Sequence, residues 1–104
     1  IKTAMLPVGR LIDTYYRTNG SWEAFEAYFN GIYDGFFDRL KAAYPQLSQN
    51  EIKICSYIRL GMTTKEIASL MNIEVISAES ARHRLRKNMG LARTESLTET
   101  IARI

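Results

Sequence analysis

The chain has 104 residues, 46% of them hydrophobic, with two prolines, six glycines and a formal net charge of +3. That is enough apolar material for one core and too much for a largely disordered chain. Sustained strand-like alternation is absent, no apolar run approaches the roughly 18 residues of a membrane span, and no stretch has the make-up of a secretory signal, so an all-α, soluble segment is expected.

Ile1 in first position suggests a piece of a longer protein, and a membrane tether upstream is left open. Cys55 is the only cysteine, without metal-ligand neighbours at suitable spacing, so neither an internal disulfide nor a metal or cofactor is expected and a reducing, cytoplasmic setting fits. Charge is unevenly spread. Lys2, Arg10, Arg17, Arg39 and Lys41 balance Asp13, Glu23, Glu26, Asp34 and Asp38 in the first half, whereas Arg82, Arg84, Arg86, Lys87 and Arg93 stand together with no acid among them. Such a cluster suits a polyanion, and equally a solvated helix face.

In chain order, Val8, Leu11, Ile12, Tyr15 and Tyr16 share one helical face behind Pro7, and Asn19-Gly20 supplies a stop. Ser21 can cap a second helix from Trp22 to about Ala43, where Trp22, Phe25, Phe29, Ile32, Phe36 and Leu40 recur every three or four residues as a core stripe. Tyr33, Phe37 and Tyr44 widen it, Asn30-Gly31 and Gly35 are points where it can bend, and Pro45 ends it. Ser48-Gln49-Asn50-Glu51 then has the form of a capping box, opening a helix with Ile54, Cys55 and Ile58 inward and Gly61 at its close. Thr63-Thr64-Lys65-Glu66 repeats the box for a short helix through Met71, with Ile67 and Ala68 apolar.

After a connection over 72–76, a helix from about Ser77 to Met89 gathers Ala78, Ala81, Leu85 and Met89 on one side and Ser80, His83, Arg84 and Lys87 on the other. Gly90 ends it. Thr94 is placed to cap a last helix whose apolar face is Leu97, Ile101 and Ile104. Two capped helices around one glycine-centred turn, followed by a helix apolar inward and basic outward, have the order of a helix-turn-helix unit, with Ala68 small where helices must cross closely.

Leu47-Ser48, Glu51, Ile54, Ile58, Gly61, Thr63, Lys65-Glu66-Ile67-Ala68, Met71 and Ile73, continued by Ser77, Ala78, Leu85 and Met89, resemble the LuxR or GerE type of DNA-binding domain over about Leu47 to Ile104. The resemblance implies a four-helix domain over 46–104 of a bacterial transcriptional regulator, preceded by a helical linker or dimerising region over 1–45. The aromatic segment followed by Tyr44-Pro45 is similar to a subgroup in which helical sensory regions, often tetratricopeptide repeats, lie upstream. The implied partner is double-stranded DNA, bound by a homodimer.

Departures from the family pattern are Glu74, Glu79 and Asn88, where serine, a basic or polar residue and lysine are usual. Roles therefore follow position on the helix. Ser80, His83, Arg84 and Lys87 are the candidates for groove contact. Thr63, Thr64 and Lys65 at a helix N-terminus, with Ser77, are candidates for phosphate. Arg82 and Arg86 are assigned to phosphate or, alternatively, to ion pairs with Glu66 or Glu51. Dimerisation is assigned to Leu97 and Ile101, or to the aromatic N-terminal helices. No catalytic constellation accompanies His83, so an enzyme is not expected. The competing expectations are an interaction module that keeps the helix-turn-helix shape, and a sigma-factor-like domain, which needs polymerase-binding segments absent from these residues.

Overall fold

The computed structural model describes residues 22–104, so the expected helix around Val8 to Tyr16, its Asn19-Gly20 stop and the Ser21 cap lie outside the described residues. Six α-helices and no strand are found among them: α1 Trp22–Ile32, α2 Phe36–Ala43, α3 Gln49–Arg59, α4 Thr64–Met71, α5 Val75–Asn88 and α6 Leu97–Ala102. None is long and apolar enough to cross a membrane.

The single helix expected from Trp22 to Ala43 is two. Gly35 adopts φ 78°, a left-handed conformation that glycine alone takes without strain, and it caps α2. Arg39 closes over the break by donating from Nη1 to the Asp34 carbonyl at 2.9 Å. The break rotates the later residues relative to α1, so Phe36 and Phe37 are both buried while Ile32, expected in the stripe, is 49% exposed. Phe29 sits at the centre of the resulting cluster, with ring centroids of Tyr33, Phe36 and Phe37 at 5.0, 5.2 and 5.0 Å in tilted arrangements that aromatic quadrupoles favour. Tyr44 then leaves helical geometry ahead of Pro45, as the clash with a proline ring requires.

Both expected capping boxes form. Ser48 Oγ accepts from the Glu51 amide while the Ser48 amide donates to Glu51 Oε1, and Thr63 and Glu66 repeat the exchange at α4. The C-terminal ends of α3, α4 and α5 share one device. A left-handed residue, Gly61, Asn72 or Gly90, follows the helix. The amide beyond it reaches back to Tyr57, Ala68 or Arg86, and its own amide reaches Ile58, Ser69 or Lys87, which is the paired bonding of the Schellman motif. Asn72, with φ 58°, is the one non-glycine residue at positive φ among the described residues.

One apolar cluster runs through the described chain, from Phe25, Phe29 and Phe37 through Ile54, Tyr57 and Ile67 to Leu85, Leu97 and Ile101. Phe25 meets Tyr57 of α3 at 5.6 Å, so the aromatic helices and the later ones share one interior. On its outer edge α3 is covered by the same helices, with the Arg59 guanidinium 4.2 Å from the Tyr33 ring and Lys53 Nζ 5.4 Å from that of Trp22. α4 packs chiefly on α5, and α3 on α6.

Two later boundaries differ from expectation. α5 begins at Val75 rather than near Ser77, because the Schellman turn reverses the chain within residues 72–74 and leaves Glu74 extended as the N-cap. The cap of α6 is Ser96, not Thr94, because Ala92 and Glu95 are occupied in a turn of their own, with the Glu95 amide donating to the Ala92 carbonyl and the Ala92 amide donating to Glu95 Oε1.

Candidate nucleic-acid interface

α4 and α5 are joined by residues 72–74 alone, and α5 separates its two faces as the spacing of its residues requires. Ala78, Ala81, Leu85 and Met89 are buried, Leu85 completely. Ser77, Ser80, His83, Arg84 and Lys87 are all exposed. Ser80, His83 and Lys87 fall on one line along the helix, with Arg84 and Ser77 beside it and Glu79 on the opposite flank, so positive charge concentrates on the Arg84 side. Ile76, Ser77, Ser80 and Arg84 line one open depression on this face.

At the start of α4 the Thr63 hydroxyl accepts from the Glu66 amide as a cap. Its own proton remains able to donate. Thr64 is half-buried and Lys65 exposed. Glu74, the N-cap of α5, makes no side-chain cap bond, unlike Ser48, Thr63 and Ser96 at the other helices.

Of the two arginines assigned to phosphate or ion pairs, Arg86 takes another place. Arg86 donates from Nη1 to the Glu95 carbonyl at 2.7 Å and from Nη2 to that of Ala92 at 2.8 Å, with Arg93 O at 3.5 Å, so it holds the 91–96 loop rather than facing outward. Glu51 and Glu66, its expected acidic partners, are engaged in the capping boxes. Arg82 is half-buried, and this desolvation, with the nearby Arg86 charge, pushes its guanidinium below the usual value. The dimerisation assignment is corrected too. Leu97 and Ile101 are 4% and 0% exposed, packed into the core by α6, and present nothing to a second copy.

Some residues acquire roles that spacing did not reveal. Asn88 is a tie rather than a lost contact: its side-chain amide donates to Glu51 Oε2, and its carbonyl accepts from Gln46 Nε2. One carboxylate thus caps α3 and fixes the far end of α5. Ile76 is 71% exposed at the head of the Ser80, His83 and Lys87 line. Its spacings of four, seven and eleven residues from those three were a usable signal, obscured by placing the helix start at Ser77. Cys55 is fully buried, and burial, with Glu51 nearby, pushes its thiol up to about 12, so it is no nucleophile at neutral pH. No group of histidine, cysteine and acidic side chains able to hold a metal occurs among the described residues.

Comparison with known proteins gave no matching family model, no matching relative and no matching solved structure.

Proposed function

We propose that the chain binds double-stranded DNA as the DNA-binding part of a transcriptional regulator, in the LuxR or GerE arrangement, with α5 in the major groove and α4 against the backbone. The observation that carries this reading is the sorting of α5: a continuous buried face opposite an exposed line of Ser80, His83 and Lys87 with Arg84 beside it. A helix so divided fits the major groove, where arginine can pair with guanine and lysine or serine can meet base or phosphate. The three-residue turn after α4, and the α5 amides left without a side-chain cap, suit a backbone contact at the mouth of the groove. Thr63, Thr64, Lys65, Ser77 and Arg82 are the residues assigned to phosphate, Lys87 of the groove-facing line reaches one as well, and Arg86 is withdrawn from that set.

The test is binding of a fluorescent duplex over a salt series, using the chain and a version dimerised artificially to supply two half-sites. Affinity should fall steeply with salt, and Lys87→Ala should reduce the slope of log K against log salt by about 0.9, the release of one phosphate contact. Arg84→Ala should weaken binding as well. The carboxylate of Glu79 on the same exposed surface favours a second reading, an interaction module of unchanged shape. Absent or salt-independent binding at low ionic strength would decide for it.

A further inference from the structure

Of the five large hydrophobic side chains exposed among the described residues, three cluster at the entry to α5: Ile73 at 38%, Val75 at 40% and Ile76 at 71%. Scattered exposed apolar residues need no explanation, but three within four positions form a patch. Ile76 leads the outward line of a helix whose other exposed members on that line are polar, and it shares an open depression with Ser77, Ser80 and Arg84. A helix face made only for solvent has no use for a β-branched apolar residue there, since isoleucine is a weaker helix former than the alternatives and gains nothing from water.

We infer that Ile76 is a specificity residue that packs on the C5-methyl group of a thymine, giving the bound site a preference for an A·T pair at that position. This rests on the proposed DNA-binding role and names what that role reads. Thymine is the one base that places a methyl group on the floor of the major groove, and its oxygen acceptor is shared by uracil, which lacks the methyl. The N-terminal part of a groove-bound helix is the part that meets base edges. Arg84 beside the apolar head and Lys87 farther along the same face carry the positive charge that a polyanionic partner complements. An apolar protein groove would be met instead by an apolar rim, and Glu79 with Lys87 interrupts one here.

The experiment selects bound sequences from a random duplex library with the full chain in its artificially dimerised form. Each dT of a selected duplex is then replaced, one at a time, by dU. Removing the methyl that Ile76 covers should weaken binding about fourfold, the equivalent of one buried methyl group. Ile76→Ala should bind the dT and dU duplexes alike, and Ile76→Val should lie between. Because the side chain is mostly exposed, all three proteins should share one circular dichroism spectrum and melting midpoint. If dU replacement changes nothing, or costs the wild type and Ile76→Ala the same, the inference is overturned while DNA binding stands. If no duplex is selected at low salt, both fall together.

Discussion

Arg86 separates a structural cation from a DNA-contacting one. Its guanidinium bridges two carbonyls at 2.7 and 2.8 Å across the 91–96 loop, with a third approach at 3.5 Å. Charge-assisted bonds of this kind contribute more than neutral ones, but the loop is exposed and water can replace the donor once it is gone, so Arg86→Ala should cost about 1.5 kcal/mol. For a domain of this size that lowers the melting midpoint by roughly 6–12 °C. Arg86→Lys keeps the charge but cannot straddle two carbonyls, and should recover less than half of the loss. Amide hydrogen exchange should show residues 91–96 losing protection before α5 does. On DNA, both variants should keep the wild-type salt slope, in contrast to Lys87→Ala. A Lys variant that melts like the wild type, with an Ala variant whose slope drops as Lys87→Ala does, would refute the clamp and return Arg86 to the phosphate contacts.

Ile101→Ala should cost about 2–5 kcal/mol, since the side chain is fully buried, and should show as loss of folded protein in thermal melts, with no specific change in subunit number by sedimentation. Gly35→Ala should lose about 1–2 kcal/mol through the left-handed backbone alone; its Cβ would also come within 2.7 Å of Arg39 Nη1, which the flexible guanidinium can yield. Cys55 makes an alkaline prediction. Its folded pKa lies above the ordinary 9.0, at about 12, so the fold binds this proton more tightly than the unfolded chain does. That stabilisation is complete below pH 9 and declines from there toward pH 12, by about 1 kcal/mol for each pH unit. Denaturant titrations across that range should show a steeper loss for the wild type than for Cys55→Ala, and a thiol reagent at pH 8 should react only as fast as the protein opens.

The parts of the fold legible in the sequence were those written in local chemistry. Ser48 with Glu51, Thr63 with Glu66, and the positions of Gly61 and Gly90 are signals confined to a few residues, and the helices they bound appeared where expected. The buried set of α5 followed from period alone. What was missed depends on contacts remote in sequence. The start of α6 is governed by a turn that Arg86 holds from the preceding helix, and Asn88 looked like a missing lysine because Glu51 stands 37 residues away in the chain. The break at Gly35 was marked as a weak point, yet continuous three-and-four spacing through Phe36 favoured one helix, because a re-phased aromatic run still satisfies that count. The candidate site divides in the same way: exposure of Ser77, Ser80, His83, Arg84 and Lys87 follows from the wheel, whereas the withdrawal of Arg86, Leu97 and Ile101 needed the fold.

The shared interior of the aromatic helices and α3 bears on how a pair of such chains would meet DNA. Phe25 against Tyr57, Tyr33 under Arg59 and Trp22 under Lys53 tie the first helices to α3 at three points. Glu51, on that same α3, grips the end of α5 through Asn88. On the proposed reading the two halves act as one stiff arm. A dimer held together upstream would then set the distance and angle between its two α5 helices like the jaws of a caliper, and half-sites spaced otherwise would be rejected by geometry before any base was read.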